Sequence, residues 1–309
     1  MPGIGVLTNP RSRKNLRNPG LAQRLSYVVG DAGKLVAPGG LSELEHAVQQ
    51  FRERDIDIVA INGGDGTAHV ALGALRRVYG DALPRIALLR GGTMNTVASG
   101  LGLRGDPETL LGRLVTAVYA GTPIQSVSRN LMVVNDEHVG FLFGNGLISN
   151  FLEVYYEHPE PSPSSAVWLL VRAVGSVLVG GPLSQQLTRP LKCRVTVDGR
   201  EWPELPYMSV AAGTVDDIGV GFRPFYRAPS FPGYFHAIAP GCTAAQFVPQ
   251  LPHIWRARPT TRPDIVDQLG KHMVIEAEEP LNFMLDGDFH RGGQRIEVRI
   301  GPRVELLLP

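Results

Sequence analysis

The feature that most constrains this chain is a unit met twice, in which an apolar run enters a glycine turn and leaves as a helix. Ile56 to Ile61 is apolar apart from Asp57, runs into Gly63-Gly64-Asp65-Gly66-Thr67, and leads to a predicted helix over 67–79. Arg85 to Leu89 then passes through Gly91-Gly92-Thr93 into a second helical stretch, from about Met94 to Leu101. A strand followed by a helix, repeated, returns each strand to the sheet from the same end. The first part of the chain is therefore expected to form an open, doubly wound parallel sheet with helices on both faces. Ile4 to Thr8 reads as a further strand, ending in Asn9-Pro10 and the basic loop Arg11-Ser12-Arg13-Lys14-Asn15. Ser42 and Glu45 have the spacing of a capping box and predict a helix opening there and running to about Arg54.

Beyond Gly121 the grammar changes to short alternating segments: 131–134, 192–197, 207–212 and 273–277. Asp198-Gly199 between two of them is a hairpin signal. Residues 295–300 and 303–308 predict two closing strands, the last packing back on the first lobe. The expected fold is an α/β N-terminal lobe, doubly wound, plus a C-terminal β-sandwich lobe. The expected division is an α/β domain over 1–122, to which 303–309 returns, and a β-rich domain over 123–302, which suits a chain of 309 residues.

With 30 Lys and Arg against 29 Asp and Glu, the net charge is +1, so no general positive field gathers nucleic acid, and none is expected as a partner. Cys193 and Cys242 stand far apart and suggest free thiols in a reducing cytosol. The first residues lack the pattern of a signal peptide. Ala166 to Gly180 is too short to span a bilayer and carries Arg172. It reads equally as a core helix or as one that lines a lipid portal or rests on a membrane.

Gly63 to Thr67 sits where a strand ends and a helix starts, the place where backbone N–H groups and the helix dipole favour phosphate. Asp65 cannot itself attract phosphate. A magnesium-facing or acid/base role suits it better, with a plain turn and an N-capping Asp as the alternative. Gly92, Thr93 and Asn95 form a second such loop, and Arg11, Arg13 and Lys14 are available to neutralise phosphates. Asp286-Gly287-Asp288 reads either as a hairpin turn or as a source of a general base. Neither G-x-x-x-x-G-K-[ST] nor a G-x-G-x-x-G at a strand-to-helix junction is present. The histidines show no ligand spacing, and no metal is assigned to them.

Taken in order, Asn9-Pro10-x-Ser12, Gly63-Gly64-Asp65-Gly66-Thr67, Gly92-Thr93-x-Asn95 and Leu285-Asp286-Gly287-Asp288 resemble the diacylglycerol kinase catalytic domain of bacterial lipid kinases and sphingosine kinases. Asn145-Gly146, and the stretch from Ala211-Ala212-Gly213 to Gly221-Phe222-Arg223-Pro224, resemble that family's lipid-binding lobe. The resemblance implies an NAD-kinase-like nucleotide lobe and ATP-dependent phosphoryl transfer to a hydroxyl of a lipid such as a diacylglycerol or a sphingoid base. It implies ATP held by Asn9, Ser12, Arg13, Gly63, Gly64, Asp65, Gly66, Thr67, Gly92, Thr93 and Asn95, and magnesium oriented by Asp65. Asp288 is implied as the base, with Asp286 in support. The implied partners are a lipid substrate, a peripheral membrane contact and a homodimer, at the inner face of the membrane in the cytoplasm. Three positions depart from the family: Arg13 replaces a frequent glycine, Val70 a common glutamate beside His69, and Asp288 the usual glutamate. A shorter base displaced by about 1 Å can cost ~10²-fold in rate. The alternatives are a catalytically impaired lipid- or nucleotide-binding module of the same fold, or an NAD-kinase-like metabolite kinase.

Overall fold

Each apolar run that ends at a glycine turn becomes a strand of one parallel sheet. The computed structural model describes residues 3–92, 95–157, 162–219 and 221–309, with the backbone alone at 13, 32, 163 and 178. The chain divides into two units, Met1–Arg129 with Pro302–Pro309, and Asn130–Gly301. In the first, β1 (Gly3–Thr8), β2 (Gly33–Val36), β3 (Ile56–Asn62) and β4 (Arg85–Leu88) lie in the order β2-β1-β3-β4, all parallel. Between and after them run α1 (Arg13–Leu16), α2 (Leu21–Val29), α3 (Leu41–Glu53), α4 (Asp65–Tyr79), α5 (Thr96–Gly100) and α6 (Pro107–Ala120). Ile4, Val6, Ile58, Val59, Ala60, Ile86 and Ala87 are fully buried, because a parallel sheet covered on both faces has no polar side.

The covering helices follow from spacing. α3 buries Leu44, Ala47, Val48 and Phe51, one stripe at helical period. Phe51 lies so close to β1 that a Cβ on Gly5 would fall 2.5 Å from its ring. The predicted capping box at Ser42 is corrected: α3 begins at Leu41 after Gly40, which makes no side-chain cap. Glu43 instead accepts the Gly39 N–H at 2.8 Å, so the carboxylate reaches back past the helix start and leaves Ser42 inside it. α6 opens as sequence rules demand, with Asp106 accepting the Thr109 N–H at 2.9 Å and Pro107 in the first turn, and it closes on Gly121 at φ 62°.

In the second unit the alternating segments pair antiparallel. β5 (Gln125–Val134) carries the chain in and pairs with β6 (His138–Gly140). β7 (Leu142–Asn145) leads to the helices α7 (Leu147–Tyr156), α8 (Pro163–Leu178) and α9 (Pro182–Leu187). One sheet holds β8 (Cys193–Val197), β9 (Arg200–Glu201), β13 (His272–Ala277) and the first part of β16 (Arg295–Leu308). The other has the order β12 (Ile265–Gly270), β11 (Phe235–Pro240), β10 (Ala211–Gly213), β7, β14 (Phe283–Leu285) and β15 (Asp288–His290). The short helices α10 (Ala244–Phe247) and α11 (Leu251–Trp255) join β11 to β12. Val195, Val197, Ile275 and Val298 of the first sheet share a core with Phe143, Phe235, Ala237 and Phe283 of the second, which makes this unit a β-sandwich.

Asp198 and Gly199 both take positive φ, 49° and 76°, in the two-residue hairpin between β8 and β9. The two closing strands expected at 295–300 and 303–308 form one element, β16. Its first part pairs antiparallel with β13, and Leu306 and Leu307 pair in parallel with β4 in the first unit. Of the segment 207–212, only Ala211 and Ala212 enter a ladder, with Gly213. Among the described residues no helix is long and apolar enough to cross a membrane.

Candidate active site

In the first unit, residues singled out in the sequence meet at the C-terminal ends of β1, β3 and β4. Asn9 follows β1, and its backbone N–H donates to the Asn62 carbonyl at 2.9 Å. Its side-chain amide donates to the Thr67 hydroxyl at 2.9 Å, joining the first loop to the start of α4. Ser12 donates its hydroxyl to the Gly91 carbonyl at 3.1 Å, and Lys14 reaches the Arg90 carbonyl at 3.1 Å. Behind them Asn62, fully buried, donates to the Thr8 hydroxyl at 2.8 Å and to Asn15 at 3.3 Å. The Asn15 amide in turn donates to the Asn9 carbonyl at 2.6 Å.

The glycines are explained by approach. A Cβ on Gly92 would stand 2.1 Å from the Gly64 Cα, and one on Gly63 would stand 2.3 Å from Thr67 Cβ. The two strand-to-helix loops thus touch backbone to backbone. Asn95, in the left-handed region at φ 50°, closes its loop with two bonds to Gly92, one accepted at 3.0 Å and one donated at 2.8 Å. Arg13 lies in α1, and Thr93 falls outside the described residues.

The Asp65 carboxylate does not face outward. It accepts from the backbone of Thr96 and Val97 and from the Thr96 hydroxyl, at the start of α5. Its burial pushes the pKa up, and those hydrogen bonds pull against the shift. The sequence reading turned this carboxylate toward magnesium, or made it the cap of its own helix. The structure makes it a cap for α5 while Gly64 precedes α4 without a side-chain cap. The reason is the short distance between loops that Gly64 and Gly92 allow. With its lone pairs directed at three donors, Asp65 fits direct magnesium ligation poorly, and no step is derived through a metal held there.

What the first unit does present is donors and positive charge. The opening N–H groups of α4 have no intrahelical partner by helix geometry, and the dipole adds a partial positive charge. Burial and then the neighbouring Arg90 lower the pKa of Lys14, a repulsion that a bound anion would relieve.

In the second unit Asp286 and Asp288 share one hairpin but not one role. Asp286 and Gly287 form the two-residue turn between β14 and β15, at φ 50° and 90°. The Asp286 carboxylate is buried and accepts the N–H of Phe141 at 2.9 and 3.0 Å and that of Leu142 at 2.8 Å. Asp288 stands at the head of β15 opposite Leu285, partly exposed. The Tyr156 hydroxyl, at the end of α7, donates to the Gly287 carbonyl at 3.0 Å and ties down the tip.

Sequence reasoning missed His290. It lies two residues from Asp288 on the same strand face, and its ring stacks on Phe283 at 5.1 Å and meets His138 at 4.3 Å. Burial first, then His138, lowers its pKa. The period-two spacing from Asp288 was available as a signal; the proximity of His138, brought in by β6, was not.

Residues 4–122 match the profile of the "Diacylglycerol kinase catalytic domain". The chain is 24% identical over 262 residues to "Probable lipid kinase YegS-like" of Citrobacter koseri, covering 84% of this chain and 80% of that protein. It is 23% identical over 281 residues to "Probable lipid kinase YegS" of Escherichia coli strain HS, covering 90% and 83%. Among solved structures it resembles a diacylglycerol kinase from Bacillus anthracis strain Sterne, with a TM-score of 0.67 at 16% identity over 99% of this chain and 97% of that one. A second structure from that organism superposes with a TM-score of 0.70 at 15% identity over the same shares. At such identity the superpositions speak for the fold, and the profile speaks for the first unit. Residues 4–122 are therefore similar to the diacylglycerol kinase catalytic domain.

Proposed function

We propose that the chain is a lipid kinase that transfers the γ-phosphate of ATP to the hydroxyl of a lipid such as a diacylglycerol or a sphingoid base. The observation that carries this reading is the backbone contact of Gly64 with Gly92. It merges the two strand-to-helix loops of a diacylglycerol kinase catalytic domain into one surface lined with donors. In this reading the triphosphate lies against Gly63 to Thr67, Gly92 and Asn95, with Asn9 and Ser12 fixing the loops and Lys14 offsetting charge. Asp65 holds α5 in place.

Asp288 takes the proton of the lipid hydroxyl as its oxygen bonds to the γ-phosphorus and the bond to ADP breaks. Asp286 holds the turn that aims Asp288. Positioning and charge neutralisation supply most of the acceleration in such transfers. In this reading the protein works in the cytoplasm, at the inner face of the membrane.

The test is transfer of radiolabel from γ-labelled ATP with magnesium to a panel of diacylglycerols, sphingoid bases and related lipids dispersed in detergent. Label in no lipid overturns the reading. Val70 and Asp288 motivate a second one, a catalytically impaired binding module. Asp288→Glu separates the two: a rise from nothing marks decay of an old active site, and a fall from measurable turnover marks a site fitted to aspartate.

A further inference from the structure

α8 is apolar on both sides. Its inner side, Ala166 and Leu169, closes a small core with Tyr155, Phe151 and Leu183. Its outer side shows Val167, Trp168 and Val171 at 46%, 54% and 64% exposure, and Val179 just past its end at 81%. Positions 167, 168, 171 and 175 fall on one stripe at helical spacing. A helix face turned to water alone carries several charges there. This one carries only Arg172, whose guanidinium lies 4.5 Å from the centre of the Trp168 ring.

The charge around this stripe is biased toward positive, with the exposed Glu153 and Glu157 of α7 and its end as the nearby carboxylates. Residues 162–197, which include α8 and α9, and residues 241–263, which include α10 and α11, contain seven Lys and Arg and no Asp or Glu. The whole chain is balanced at 30 against 29, so the bias is local. α10 packs on α8, which joins the two segments into one region. Arg172, Arg189, Lys192, Arg256 and Arg258 are all exposed. Among the described residues none of these five makes an ion pair. Trp255, the residue before Arg256, is 54% exposed.

We propose that α8 lies flat on an anionic lipid surface. Val167, Trp168 and Val171 enter the boundary between headgroups and acyl chains, and Arg172 with the other unpaired cations of this region meets the lipid phosphates. Tryptophan and arginine are the side chains suited to that boundary, one amphipathic and the other always charged. At 16 residues the helix is about 24 Å long, so it rests on a bilayer and does not cross it. A second copy of the chain is a poorer occupant, because it would set one unpaired cationic surface against another. The proposal gives the lipid-kinase reading a docking face, and its test needs neither nucleotide nor turnover, so the two readings fail separately.

The experiment is sedimentation of the full chain with vesicles of phosphatidylcholine, alone or with about one third phosphatidylglycerol. Wild type is expected to bind the anionic vesicles at least tenfold more tightly than the neutral ones, and less tightly as salt rises. The triple variant Val167→Gln, Trp168→Gln, Val171→Gln is expected to lose at least tenfold, with an unchanged melting curve. Arg172→Glu, which leaves the apolar stripe intact, is expected to lose several-fold on anionic vesicles alone. Equal binding of wild type to both vesicles, absence of wild-type binding, or wild-type behaviour of the triple variant overturns the proposal. So does light scattering that finds a dimer broken by the triple variant while vesicle binding persists.

Discussion

At the scale of single residues, the two carboxylates of one hairpin have different environments. Asp286 spends its carboxylate on buried backbone N–H groups of Phe141 and Leu142, and removing a partner of such donors costs about 1–3 kcal/mol each. Asp286→Ala is expected to lower stability by about 2–4 kcal/mol in urea unfolding, and Asp286→Asn by less, since asparagine keeps an acceptor and tolerates φ 50°. An alanine variant as stable as wild type would remove the anchoring role. Asp267 offers a second case. Burial works against its charge, but hydrogen bonds from His236, Tyr226 and Arg227 outweigh it and hold its pKa down to about 2. A folded pKa below the unfolded value of about 3.9 stabilises the protein above pH ~4, and that contribution is lost as pH falls toward 2. Wild type is expected to exceed Asp267→Asn by about 2 kcal/mol at pH 6, with the gap closing near pH 2; a constant gap would refute this account. The Asp-Gly-Asp turn was legible because its φ requirements are local. The partners of Asp286 were not, since Phe141 and Leu142 lie more than 140 positions away.

At the scale of elements, α5 is the informative case. Five residues are too few for a helix to persist by its own hydrogen bonds, so its start must be held from outside. Asp65 does this from the head of α4, and Asn95 does it from within the loop. Asp65→Ala is expected to cost about 1–2 kcal/mol, the usual worth of a cap, and to speed hydrogen exchange at Thr96 and Val97. Unchanged exchange there would show that the carboxylate does not hold the helix. Gly92→Ala, whose methyl meets the Gly64 backbone, is expected to push the loops apart and weaken ATP binding at least tenfold by calorimetry. Strand, glycine turn and helix were legible here because periodicity and turn residues are written in adjacent positions. The direction of the Asp65 carboxylate was not, because it depends on how closely two separate loops approach. The same limit explains α3, where a capping-box pattern was present but the chain started its helix two residues sooner.

At the scale of the whole molecule, the first unit is not one continuous segment. It takes Met1–Arg129 and then Pro302–Pro309, the chain returning through Gly301. That glycine is required by approach, since a Cβ would lie 2.7 Å from Val133 Cγ2 and 3.1 Å from the Leu131 carbonyl oxygen. The returning strand covers the β4 edge of the parallel sheet, with Leu306 against Ile86 and Leu307 against Ala87. Val304, Leu306 and Leu307 are each about 1% exposed, and burying three such side chains is worth roughly 5–9 kcal/mol. The stability of a whole domain is of that order, about 5–15 kcal/mol. A chain ending at Gly301 is therefore expected to have an unfolded or molten first unit, with amide protection lost in β1, β3 and β4. Adding residues 302–309 as a separate peptide is expected to restore part of that protection. Full protection in the shortened chain without the peptide would mean that the four N-terminal strands are self-sufficient, and that the returning strand serves the second unit alone.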